Sequence, residues 1–155
     1  MRNFNISKMK KYLFRAILVL FFTSASTAVY ACRCPTPSTS KAYKNAFLVV
    51  RATALSIENH PDKTQTAILK VSNAWKENVE IEIKVTGGGE VCGHFFAENQ
   101  EYILYIYKDA QGNYTTRNCV GNKFFNNPAL SAGFVKMAKN DVVWLNKHAK
   151  KGKIG

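Results

Sequence analysis

The chain has 155 residues, with 22 Lys and Arg against 10 Asp and Glu, for a formal charge of +12. Its length allows one domain with its own core but not comfortably two. No nucleophile, acid and base cluster along it, which argues against an enzyme, and its basic excess permits anionic partners while being read first as a solvated surface.

The first thirty-one residues are expected to be a cleaved signal peptide. Arg2, Lys8, Lys10, Lys11 and Arg15 make a positive lead, Ala16 to Phe22 an apolar run, and Val29-Tyr30-Ala31 offers small residues at the −3 and −1 positions of a cut. The run is shorter than the roughly 20 apolar residues that span a bilayer. Met9 offers a second start. The cut leaves residues 32–155 as the domain, beginning at Cys32 and exported to the extracellular medium or a bacterial periplasm. Lipidation of Cys32 is disfavoured, because it would leave three cysteines where four can make two bridges, and Tyr30 argues against it as well. Residues 1–31 hold five Lys and Arg and no acids, so +12 less 5 leaves +7 on the exported part.

Beyond the cut, Pro35-Thr36-Pro37-Ser38-Thr39-Ser40 predicts an extended, stiffened start, and Ser40 to Asn45 a short helical turn. Ala46 to Ile57 is rich in β-branched and large apolar residues and is broken by Asn59-His60-Pro61-Asp62, which predicts a long strand and a turn. Thr64 to Trp75 reads as a second strand. Val79 to Thr86 alternates, with Val79, Ile81, Ile83 and Val85 on the expected buried face. Gly87-Gly88-Gly89 ends that strand, and Glu90-Val91-Cys92-Gly93 brings a cysteine to a loop. Tyr102 to Tyr107 is apolar on both faces, as for a strand covered on both sides. Asp109 to Asn113 is a turn, and Tyr114-Thr115-Thr116 leads back toward Cys119. After Asn127-Pro128 the period becomes helical through Leu130, Phe134, Met137, Ala138, Asp141 and Leu145, with Gly152 and its flanking lysines as the stop. Several short strands and one helix predict a mainly β protein, a small, partly open barrel with a C-terminal helix packed on it.

Four cysteines allow three pairings. A Cys32–Cys34 ring would be strained, so each is expected to reach Cys92 or Cys119, stapling the extended N-terminus across the barrel. The chain-entropy model gives such long-loop bridges about 4 kcal/mol each as an upper figure. A redox role for Cys32-Arg33-Cys34 is disfavoured by the spacing and by the lack of a βαβ pattern. His60, His94 and His148 are scattered and are expected to be separate surface or packing histidines, with no metal site among them.

Cys-x-Cys at the start of the exported chain, Ala46-Phe47-Leu48-Val49-Val50-Arg51-Ala52, Glu90-Val91-Cys92-Gly93 and Thr115-Thr116-Arg117-Asn118-Cys119 resemble the N-terminal domain of the tissue inhibitors of metalloproteinases. The resemblance runs over nearly all of residues 32–155. It implies a netrin-like, OB-type five-stranded barrel with a C-terminal helix, and bridges Cys32–Cys92 and Cys34–Cys119. It further implies a metalloendopeptidase inhibitor whose Cys32 amine and carbonyl oxygen chelate the zinc of the protease, the domain having no cofactor of its own. Arg33, Cys34 and Pro35, with Glu90 and Val91 beside them, would touch the protease. The chemistry is sound without the resemblance: a catalytic zinc keeps an open position, and an α-amine with a reference pKa of about 7.7 to 8.0 is partly deprotonated near neutrality. Two departures are visible. Arg33 stands where the family has a small polar residue that enters the specificity pocket, and Lys44 lies near the cysteine of a third bridge. The competing expectation is an exported netrin-like binding module for an anionic glycan, an envelope surface or another protein. Nucleic acid is disfavoured by export, and a monomer is expected.

Overall fold

The first strand starts where apolar and β-branched residues take over, after a short helix that follows the proline-rich segment. The computed structural model describes residues 35–89, 92–125 and 132–155; the predicted signal peptide, Cys32, Arg33, Cys34, Glu90, Val91 and the predicted helical residue Leu130 lie outside them. Ser38 caps a short helix, α1 (Thr39–Asn45), by accepting the Lys41 backbone N–H on its side-chain oxygen. The far end of α1 is held differently. Lys76, in a left-handed backbone conformation, places its ammonium on the carbonyls of Tyr43, Lys44 and Ala46, which complements the negative end of the helix.

Six strands follow: β1 (Leu48–Asn59), β2 (Thr64–Trp75), β3 (Glu82–Gly88), β4 (Glu101–Lys108), β5 (Tyr114–Thr115) and β6 (Lys123–Phe124), and then helix α2 (Ala132–His148). Their order is β1-β2-β3-β5-β4-β6, and β1 also pairs with β4, so the first five strands close into a barrel of the OB type. β1 can serve two neighbours because its ladder to β2 shifts register between Arg51 and Ala52 and again between Ala54 and Ser56; such bulges bend a strand and sharpen its twist. The β1–β4 ladder runs from Leu48 opposite Ile106 to Thr53 opposite Glu101.

Strand alternation then divides the apolar residues between two cores. Leu48, Val50, Leu69, Val85, Leu104 and Ile106 fill the barrel. Val49, Ile103 and Tyr105 point the other way and pack with Trp75, Ala138 and Leu145 under α2. The mainly β barrel with a C-terminal helix packed on it is therefore the observed fold. β4 is buried on both faces from Tyr102 to Ile106, as its composition predicts.

Two predicted boundaries are corrected. β3 begins at Glu82, not Val79, and Ile81 is 54% exposed where the alternation placed it in the core. α2 ends at His148, not near Gly152. Both corrections have one cause: the chain after the helix turns back and takes the 75–81 segment as its partner. Trp75 bridges to Lys151, Val79 pairs in parallel with Ile154, and the Ile81 N–H donates to the Gly155 carbonyl at 3.1 Å. Gly152 is what allows this approach, since a Cβ there would lie 1.9 Å from the Glu77 carbonyl oxygen.

One buried carboxylate ties the helix to the rest. Asp141 accepts from Thr39 Oγ1 at 2.6 Å and Tyr105 Oη at 3.1 Å, and lies 3.9 Å from Lys123 Nζ. Burial and the neighbouring Asp141 both push the Tyr105 hydroxyl well above its ordinary pKa. Asp141→Ala leaves the Lys123 ammonium, in a largely buried site, with the Gly121 carbonyl at 2.6 Å but without its counter-charge, and urea unfolding should show a loss of about 3 kcal/mol. Adding Lys123→Met should recover part of it, because the stranded charge goes but Tyr105 still lacks its acceptor.

Candidate functional site

The predicted site gathers at the barrel end where β3 stops. Gly87 and Gly93 let the loop carrying Cys92 lie directly on the backbone: a Cβ on Gly87 would come 2.4 Å from the His94 carbonyl oxygen, and one on Gly93 2.4 Å from the Gly88 backbone. Side chains at these two positions would lift the loop off the barrel.

The second cysteine arrives beside the first. After β5, the Thr116 N–H donates to the Thr86 carbonyl at 3.0 Å and the Thr116 hydroxyl to the Tyr105 carbonyl at 3.0 Å. Asn122 secures the segment, donating through Nδ2 to Thr116 Oγ1 and to the Arg117 carbonyl while its Oδ1 accepts the Tyr105 N–H. Gly93 then bridges to Arg117, and the Asn118 N–H donates to the Cys92 carbonyl at 3.2 Å. Cys119 follows in a 3-10 turn (Asn118–Val120). Cys92 and Cys119 are both disulfide-bonded, so neither offers a thiol. The expected partners Cys32 and Cys34 fall outside the described residues, as do Arg33, Glu90 and Val91. Pro35 is described and exposed. A cavity of about 560 Å³ opens at this end, lined by Thr64, Gly88, Cys92, Thr115, Arg117 and Cys119.

His94 underlies both loops. Its ring is 1% exposed and packs edge-on against Phe96 and Tyr102 at 4.9 and 5.4 Å. Asn118 Oδ1 accepts from Nδ1 at 3.1 Å, which leaves Nε2 as the bare nitrogen, buried and without a partner among the described residues. Burial pushes its pKa down to about 4, against a weaker upward pull from Asn118. His94 is thus a neutral packing histidine that joins the Cys92 and Cys119 segments. The sequence set it aside as a packing residue without showing this link; the available signal was a polar residue next to each cysteine, His94 near Cys92 and Asn118 beside Cys119.

The remaining histidines are placed apart. His60 bonds Thr66 Oγ1 at 2.8 Å in the β1–β2 turn region, and His148 stacks on Trp144 at the end of α2. Among the described residues no three His, Cys, Asp or Glu are grouped to hold a metal. The described part of the site is a platform of two loops whose cysteines are disulfide-bonded, with close-packed glycine backbone and the exposed Arg117. No protein-family model and no curated protein matches the chain.

The sign of the pH dependence follows from His94. Its folded-state pKa lies below the 6.5 of the free side chain, so the unfolded chain takes up the proton first. Stability from this group is full above pH 6.5 and falls as pH drops from 6.5 to about 4. At about 1.4 kcal/mol per tenfold, the loss amounts to about 3 kcal/mol. Urea titrations across that window should show it, and His94→Leu should flatten the slope.

Proposed function

We propose that the exported chain inhibits zinc metalloproteases by laying the α-amine and carbonyl oxygen of Cys32 on the catalytic metal, as the resemblance to the tissue inhibitors of metalloproteinases suggests. The observation that carries this reading is the side-by-side placement of the two disulfide-bonded loops, joined through the Asn118 N–H and the Cys92 carbonyl. Two cysteines one residue apart reach about 7 Å at full extension, and a disulfide spans Cα atoms by at most about 6.8 Å. Cys32 and Cys34 can therefore bridge Cys92 and Cys119 only if those two lie close together, which they do. The OB-type barrel and its C-terminal helix agree with the same reading.

Bridged in this way, Cys32 would present main-chain donors and no sulfur ligand. A five-membered chelate through the neutral amine and the adjacent carbonyl would take the open coordination position of the protease zinc. The platform of Gly87–Gly89, Gly93 and Arg117 would hold that chelate still, lowering the entropy cost of binding. Arg33 would face the specificity pocket, where desolvating a guanidinium costs several kcal/mol unless an acid meets it; targets with an acidic or shallow pocket are favoured.

Acetylating the Cys32 amine, or adding one alanine ahead of it, should abolish metalloprotease inhibition, because an amide nitrogen is a poor ligand and the extra residue moves the chelate out of register. Thermal unfolding should barely change, since the barrel lies downstream. A blocked protein that inhibits with its original constant overturns the reading. Arg33→Thr should tighten inhibition of metalloproteases with deep apolar pockets tenfold or more, the equivalent of about 1.4 kcal/mol, as read from inhibition constants across a protease panel.

A further inference from the structure

The barrel is closed unevenly. β3 pairs with β2 along its whole length, from Gly88 opposite Thr64 to Glu82 opposite Lys70, yet it meets β5 through a single pair, Thr86 opposite Thr115. The remaining edge of β3 opens on a cleft of about 1150 Å³ whose walls include Ile68, Glu82, Lys84, Asp109, Tyr114 and Lys153.

Strand alternation fixes which backbone groups face that cleft. The Thr86 carbonyl points to β5, where it accepts the Thr116 N–H, and the Ile81 carbonyl points to β2, where it accepts the Val71 N–H. Between these two markers the N–H and C=O groups of Val85 and Ile83 turn to β2, and those of Lys84 and Glu82 turn to the cleft. Two donors and two acceptors stand there in a row, with no partner strand among the described residues. The edge is occupied at each end by chain running parallel to β3: residues 153–155 lie along Val79–Ile81, and β5 lies along Thr86.

From this geometry we infer that the open β3 edge is a docking site for a short extended peptide segment, added as a parallel strand opposite Glu82 to Lys84. Main-chain hydrogen bonds supply the affinity and alternate side chains the selectivity. The residues opposite Glu82 and Lys84 share the outer face of the sheet with those two exposed side chains, so opposite charge is favoured at each. The residue between them lies opposite Ile83, which is buried in the barrel, and must be apolar. Read in the direction of β3, the segment is basic, apolar, acidic. Its central residue donates its N–H to the Glu82 carbonyl and accepts the Lys84 N–H. This inference is independent of the zinc-capping reading and stands if that reading fails.

The test uses the 15N-labelled protein and three blocked tripeptides, which match the gap between Gly155 and Tyr114: acetyl-Lys-Val-Glu-amide, its charge-reversed form acetyl-Glu-Val-Lys-amide, and the first with an N-methylated valine. The first should move the Glu82 and Lys84 amide signals saturably and bind at least threefold more tightly than the reversed peptide, and the N-methylated one should not bind. In the doubly swapped variant Glu82→Lys/Lys84→Glu, whose exposed side chains leave the fold intact, the preference should invert. The inference is overturned if none of the peptides shifts those amides at millimolar concentration, if N-methylation makes no difference, or if the reversed peptide is preferred by the unaltered protein. It is equally overturned if a sulfated hexasaccharide, and no peptide, moves the same signals, which would make the cleft a glycan site.

Discussion

Pairing of β1 with β4 turns an open meander into a barrel, and almost everything else in the molecule is arranged around making that pairing possible. A strand that must bond β2 on one side and β4 on the other cannot stay straight, and the two register shifts at Arg51/Ala52 and Ala54/Ser56 supply the bend. Small residues follow from the same demand. Ala52, Ala54 and Ala67 are fully buried where the curved strands come together, and larger side chains there would compete for a barrel interior already filled by Leu69, Tyr102 and Leu104. Next to the closure, Arg51 makes a two-pronged contact with Glu101 at 2.7 and 3.0 Å, with its guanidinium 4.2 Å from the centre of the Phe125 ring. That fork pins adjacent strands at the level where β1 begins to leave β4.

The candidate site inherits its rigidity from this closure. β4 carries Tyr105, whose backbone holds Thr116 and Asn122, and these in turn position the segment that ends in Cys119. β3 carries the glycines on which the Cys92 loop rests. The two cysteine loops thus belong to strands that the barrel fixes relative to each other, and His94 fills the space between them. An edge-on imidazole between Phe96 and Tyr102 packs well only while neutral, which makes the platform sensitive to acid although it carries no solvent-facing histidine of its own.

Local chemistry made much of this legible in the residues themselves. The two-sided apolar run Tyr102–Tyr107 and the run Ala46–Ile57 report on their immediate neighbours, and each became a strand, while β3 runs on through Gly87 and Gly88, two of the three glycines expected to end it. Ile81 and Gly152 were misread because their partners are remote. Val79–Ile81 continues the period of β3, and only the return of residues 151–155 explains why the Ile81 N–H turns from β2 to the Gly155 carbonyl. The same holds for Asn122, a polar residue in a turn whose three backbone and side-chain partners lie 5 to 17 positions away in sequence. Pairing of the cysteines was legible only as a set of alternatives, since sequence spacing limits reach but does not choose partners.

The two-faced burial of β4 bears on how the sequence can change over time. From Tyr102 to Ile106 each side chain belongs either to the barrel interior or to the layer beneath α2, and none reaches solvent. A strand on an ordinary sheet keeps one face free to drift. Here a substitution on either face disturbs one of two cores, and a shift of register by one residue would exchange their contents outright. Descendants of this chain can therefore vary their turns and the exposed side of α2 widely while this strand stays nearly fixed, so its five residues are the place to look for distant kinship.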